Sequence, residues 1–222
     1  MSKNYIWLNP VVYDMTEEAE RGQMLETLGF EELFCREDHI EAVRRVYWSF
    51  AAEEKRREQS GGQHRLVCDV RCPLAAALVK KYFPNAQAVY PQTLPILVRS
   101  AAELSARVAS EPEARLTVIA PCEALCALGR QQNMPCTRFL TWKGFCREYG
   151  LRPHMKRRQQ SPIPPGFFKG CAERVVSLDS REKILRFFAE QREEEADIAE
   201  LLYCSGGCHN GEGMIGTEAV WS

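Results

Sequence analysis

Six of the ten cysteines in this chain fall into three Cys-x3-Cys pairs, Cys68/Cys72, Cys122/Cys126 and Cys204/Cys208, and that spacing constrains the fold more than any other feature. How such thiols are used depends on the compartment. The first residues lack a signal-peptide core, because Asn9-Pro10 and Asp14 interrupt the apolar start. No apolar run approaches the ~20 residues needed to span a bilayer. The expected location is therefore a reducing cytoplasm, without membrane insertion, where disulfides are rare and cysteines are buried, reactive or metal-bound. Burial as a small hydrophobe is the reading for Cys35, Cys136, Cys146 and Cys171, which stand alone. A formal net charge of −1 gives no reason to expect nucleic acid as a partner. A length of 222 residues can bury a sizeable core, as one large domain or two small lobes.

Periodicity gives an alternation of short strands and helices. Strands are predicted at residues 5–8, 31–35, 66–70, 116–120, 138–141, 175–178 and 199–203, from apolar and β-branched runs bounded by turn residues. Helices are predicted at 17–28 with Thr16 as N-cap, at 39–55, 74–82, 95–109 and 142–149, and at 181–191 capped by Asp179 or Ser180. Residues 152–166, rich in Pro, Gln and basic side chains, read as a long loop. This pattern argues for an α/β fold with largely parallel sheet.

Three of the cysteine segments follow predicted strands directly. In parallel α/β sheets the carboxyl ends of the strands face the ligand crevice, so Cys72, Cys122, Cys204 and Cys208 can converge although far apart in sequence. Four such thiolates suit a [4Fe-4S] cluster. Zinc could use the same donors but ranks below iron in this glycine-rich context. Pro73 and Pro121 are expected to bend the chain and exclude helix beside two of the cysteines. Gly206, Gly207, Gly211 and Gly213 would let backbone approach a bulky inorganic group. A radical-SAM arrangement is excluded, since no pair is followed by the third cysteine that motif needs.

At these residues the chain resembles the iron-only ([FeFe]) hydrogenase catalytic core. The likeness lies in Arg71-Cys72-Pro73, in Pro121-Cys122-Glu123-Ala124-Leu125 and in Cys204-Ser205-Gly206-Gly207-Cys208-His209-Asn210-Gly211-Glu212-Gly213. It extends to Thr27-Leu28-Gly29-Phe30, to Lys81-Tyr82-Phe83-Pro84 with Tyr90-Pro91-Gln92, and to Pro164-Pro165-Gly166-Phe167-Phe168. The resemblance implies a two-lobed α/β core, each lobe a small mainly parallel sheet flanked by helices, with approximate lobes at 1–110 and 111–222. It also implies that Cys72, Cys122, Cys204 and Cys208 are the ligands of the [4Fe-4S] cluster, and that Cys208 is the would-be bridge to a diiron subsite.

Four departures from the family pattern bear on catalysis. Arg71 stands where active members carry a proton-relaying cysteine, and Leu125 stands where a lysine bonds a diiron cyanide. Leu202 and Ala120 replace methionines that pack on the subsite, and Leu128 replaces an acid. A cluster-binding protein without the diiron subsite is expected, acting in electron relay or redox sensing as a subunit of a redox complex. Its partners would be other hydrogenase-type subunits or a carrier such as ferredoxin. The alternative is an active hydrogenase, an oxidoreductase producing or oxidising hydrogen by an atypical proton route. Cys68 and Cys126 are read as packing rather than as a second metal site. His209 is read as facing solvent, or alternatively as tuning the cluster by hydrogen bonding, and Glu193-Glu194-Glu195 is read as an exposed helix end. The run His154-Met155-Lys156-Arg157-Arg158 is read as a solvated loop, or alternatively as a docking patch for an acidic carrier.

Overall fold

Among the described residues, every pairing between strands of the two sheets is parallel. In a computed structural model describing residues 3–156 and 161–214, the elements in order are β1 (Asn4–Leu8), α1 (Pro10–Met15), α2 (Glu18–Thr27), β2 (Phe30–Glu32), α3 (His39–Gln59) and β3 (Leu66–Cys68). There follow α4 (Pro73–Tyr82), β4 (Ala88–Val89), α5 (Ile96–Val108), β5 (Arg115–Ala120) and α6 (Glu123–Gln131). The last are β6 (Thr137–Thr141), α7 (Trp142–Glu148), β7 (Val175–Leu178), α8 (Arg181–Ala189) and β8 (Ile198–Leu201). They build two four-stranded sheets, ordered β2-β1-β5-β6 and β4-β3-β8-β7, each strand joined to its neighbours in parallel register. This is the α/β architecture expected, two parallel sheets flanked by helices.

The chain divides into two units, each discontinuous in sequence. The first takes the described residues up to Glu37, from Leu97 to Pro162 and from Cys208 on; the second takes Asp38–Ile96 and Ile163–Gly207. The boundary expected near residue 110 does not follow this division. The interleaving comes from pairing: β1 lies beside β5 and β3 beside β8, so each sheet closes across a long intervening stretch.

In both units the central strands are buried almost throughout, which is what parallel sheets covered on both faces require. The core of the first unit holds Ile6, Leu8, Val12, Met15, Ile119, Trp142 and Phe145. In the second unit the strand alternation divides the core. Leu66, Ala199 and Leu201 pack with Val79, Ile184 and Phe187 of α4 and α8, while Val67 and Ile198 pack with Val43 and Tyr47 of α3 and with Phe168. No helix among the described residues is long and apolar enough to cross a membrane.

Several local expectations are corrected. Thr16 closes α1 instead of opening α2, its Oγ1 donating to Val12 O at 3.0 Å. Helix α1 went unread, although Asn9 caps it by accepting from Val11 N at 2.9 Å, with Pro10 at its first position. Pro73 does not exclude helix but begins α4, because a helix's first turn has no partner for the missing N–H. Helix α6 likewise starts straight after Cys122. Glu193, expected on an exposed end, is buried in a 3-10 turn.

Candidate metal centre

Cysteine placement follows from the sheet order. In the second unit β3 and β8 are the central pair, and both carboxyl ends lead into cysteine segments. Cys72 is the N-cap of α4, with extended backbone, and is half-buried. Burial pushes its thiol up, against the backbone N–H groups of Tyr203, Ala75 and Leu74, which hydrogen-bond it and favour the thiolate; the net direction is upward. The bond to Tyr203 joins Cys72 to the residue that precedes Cys204. Beyond Cys204 the chain turns through Gly206 and Gly207 at φ +73° and +123°, a region that side-chain-bearing residues avoid. Gly206 N donates to Asp179 O at 3.3 Å and Gly207 N to Cys204 O at 3.1 Å.

In the first unit Cys122 is buried at the N-cap of α6, at the carboxyl end of central strand β5. Cys208 opens a 3-10 turn, Cys208–Asn210, and packs on the core of the same unit. The segment after it is laid against Pro121. Gly213 N donates to Pro121 O at 3.0 Å and Gly211 N to Cys208 O at 3.0 Å. A Cβ on Gly211 or Gly213 would lie 2.6 or 2.7 Å from Pro121 O, so these two glycines permit the close approach. Glu212 adds a tie, its Oε1 accepting from Glu123 N at 2.8 Å. Each unit thus brings two of the four expected ligands onto adjoining segments. No disulfide involves any of the ten cysteines.

His209 is a correction. Expected to face solvent, it is 8% exposed. Its Nε2 lies 3.1 Å from Asn210 Nδ2, and its Nδ1 is buried with no hydrogen-bond partner among the described residues. Burial moves its pKa down, which favours the neutral ring.

Sequence reasoning missed the polar centre beside Cys72. Arg71 is buried, and its Nη2 donates to Asp69 Oδ2 at 2.8 Å and to Glu200 Oε1 at 2.7 Å. The guanidinium lies 4.0 Å from the Phe167 ring centroid and 4.4 Å from that of Phe168. Asp69 and Glu200 are fully buried. Asp69 also accepts from Tyr47 Oη and from Arg71 N. Glu200 accepts from Gly166 N, Phe167 N and Ser177 Oγ. Burial disfavours the cation, but the two carboxylates outweigh it and hold Arg71 above the ordinary arginine range. The missed signal was Glu200 itself, a charged residue inside the apolar strand β8.

The other cysteines divide by environment. Cys68 lies in the core of the second unit and Cys126 is buried on α6. Burial drives the Cys68 thiol far up and the Cys126 thiol up to about 12. Both fit the packing reading. Cys146 and Cys171 are buried as expected, Cys35 is half-buried, and Cys136 is exposed. Leu125, Leu202 and Ala120 are buried apolar residues. In the basic run, Met155 is not solvated but buried, its sulfur 3.3 Å from Trp142 Nε1, and Lys156 pairs with Glu17 at 2.9 Å. Arg157 and Arg158 lie outside the described residues.

Comparison of the whole chain with solved structures decides the fold. An apo [FeFe]-hydrogenase HydA1 from Chlamydomonas reinhardtii matches over 97% of this chain and 80% of its own, with a TM-score of 0.65 at 13% identity. The fold is that of the [FeFe]-hydrogenases. A HydA(deltaEFG) structure concerned with stepwise assembly of the hydrogenase H-cluster matches over the same shares, with a TM-score of 0.67 at 12% identity. A hydrogenase structure concerned with oxygen inactivation through the 2Fe subcluster matches 97% of this chain and 81% of its own, with a TM-score of 0.61 at 11% identity. No family model matches the sequence, and no curated protein matches it. The resemblance read from the cysteine segments therefore holds for the hydrogenase fold.

Proposed function

We propose that this protein binds one [4Fe-4S] cluster through Cys72, Cys122, Cys204 and Cys208, lacks a diiron subsite, and serves electron relay or redox sensing within a redox complex. The observation that carries the reading is the placement of all four thiols on segments leaving, or laid against, the carboxyl ends of central parallel strands, in a hydrogenase fold. The donor set fits the group. Backbone N–H groups of Tyr203, Ala75 and Leu74 hydrogen-bond the Cys72 sulfur, and glycines at 211 and 213 let the Cys208 turn close on Pro121. A bound cluster supplies one-electron redox chemistry.

The residues around these cysteines argue against hydrogen turnover. Arg71 is held protonated by Asp69 and Glu200, and a guanidinium that cannot lose its proton cannot relay one. Leu125 has no donor to offer a diiron ligand. Orienting donors retain metal groups, and none stands at that position. The partner is a redox protein of the reducing cytoplasm, another hydrogenase-type subunit or a ferredoxin-like carrier.

Anaerobic purification with iron and sulfide analysis tests the reading, together with infrared spectra after exposure to hydrogenase maturation proteins. Equal amounts of iron and sulfide, lost in Cys72→Ser and Cys122→Ser, and an infrared spectrum without carbonyl or cyanide bands are expected. Carbonyl and cyanide bands would establish an active hydrogenase instead, and zinc in place of iron would end the cluster proposal.

A further inference from the structure

The 3-10 turn after Cys208 contains an unexplained polar atom. Asn210 Nδ2 is a donor only, so at 3.1 Å from His209 Nε2 it makes that nitrogen the acceptor. In a neutral imidazole the single proton then sits on Nδ1. Nδ1 is buried and has no acceptor among the described residues. An orphaned buried N–H is destabilising, and native structures rarely leave one without a partner. Asn210 thus fixes the tautomer, and the turn fixes the ring beside Cys208. The missing component is an acceptor, and a sulfur-rich anionic group held at Cys208 is one.

We infer that His209, through Nδ1–H, donates a hydrogen bond to a sulfur of the iron–sulfur group bound at Cys208, with Asn210 holding the ring in the donating tautomer. This rests on the proposed cluster and assigns His209 a tuning role within it. Hydrogen bonds to cluster sulfurs stabilise the more negative, reduced state and raise the reduction potential. His209 binds no iron itself and transfers no proton in this role.

The test uses the full chain, purified anaerobically, with potentials from EPR-monitored titration at one fixed pH. His209→Leu keeps the apolar volume and removes the donor. His209→Asn keeps an N–H near the position of Nδ1. The expected result is unchanged iron and sulfide in both variants. The potential falls in His209→Leu, with the reduction constant dropping about tenfold, about 59 mV for a one-electron couple, and recovers in part in His209→Asn. Equal potentials in wild type and His209→Leu at equal iron content overturn the inference and leave the cluster intact as a proposal. Should His209→Leu lose its iron, the wild-type protein labelled with 15N-histidine decides: pulsed EPR of the reduced cluster shows a nitrogen coupling if the bond exists, and its absence overturns the inference. Wild-type protein without iron and sulfide removes the underlying cluster reading, an outcome distinct from both.

Discussion

At the scale of single residues, the chain's most costly decision is to bury one cation with two carboxylates next to Cys72. Such a centre gives little net stability against an apolar replacement, yet breaking it is expensive because the remaining charge has no water. The two sides of the centre are unequal. Removing Arg71 leaves Asp69 and Glu200, both fully buried, facing each other without a cation. Neutralising Glu200 leaves a matched Arg71–Asp69 pair with its bidentate contacts. We therefore expect Arg71→Met to destabilise the metal-free protein by about 3–5 kcal/mol, and Glu200→Gln by clearly less, in urea unfolding followed by circular dichroism. The reverse order would show that Arg71 is not the electrostatic keystone. On the sequence, Glu200 stood out only as a charge among Ala199, Leu201 and Leu202. Its charged partner Arg71, 129 positions away, depended on a strand pairing that no local pattern states.

At the scale of elements, most helices and strands were visible because each carries a full turn or more of consistent periodicity. The misses lie at short helices and at helix starts. Helix α1 has six residues, too few for a 3.6-residue repeat to declare itself, and α6 begins just after Pro121-Cys122, where proline is expected to exclude helix. Pro73 reads as a breaker from sequence, yet the first helical position tolerates proline. Strands β3, β5 and β8 were legible, and with them the placement of Cys72, Cys122 and Cys204 on segments that leave their carboxyl ends. The burial of His209 was not, because nothing local distinguishes a turn packed on its own unit from one facing water. The glycines of this turn make the element testable. Gly213→Ala puts a methyl 2.7 Å from Pro121 O and 2.8 Å from Thr141 Cβ, and should cost about 1–3 kcal/mol as overpacking while lowering iron content. Gly22→Ala, in helix α2 with nothing within 4 Å of the added carbon, should instead gain about 0.5–1 kcal/mol. Thermal unfolding of the two variants side by side separates a general intolerance of alanine from a specific close approach.

At the scale of the whole molecule, the chain passes between its two units several times, and the last passage falls between Gly207 and Cys208, inside a Cys-x3-Cys pair. The sequence showed that pair but not that it straddles a unit boundary, because the boundary is created by β1 pairing with β5 and β3 with β8. Under the proposed ligand set, Cys72 and Cys204 belong to one unit and Cys122 and Cys208 to the other. A group that needs all four thiolates binds only when both units are folded, so its binding free energy stabilises both at once. Removing it should lower the unfolding midpoint by several degrees for a chain of this size, and should loosen the thermodynamic coupling between the units. Hydrogen exchange can read that coupling residue by residue. Under conditions that load the wild-type protein with its cluster, Cys72→Ser, a change in the second unit that releases the group, should reduce amide protection at Ile119 in the core of the first. In metal-free protein the same substitution should leave Ile119 protection unchanged, because no shared ligand then transmits the loss. Unchanged protection in the loaded variant, with iron still bound, would show that Cys72 does not share a group with Cys122 and Cys208.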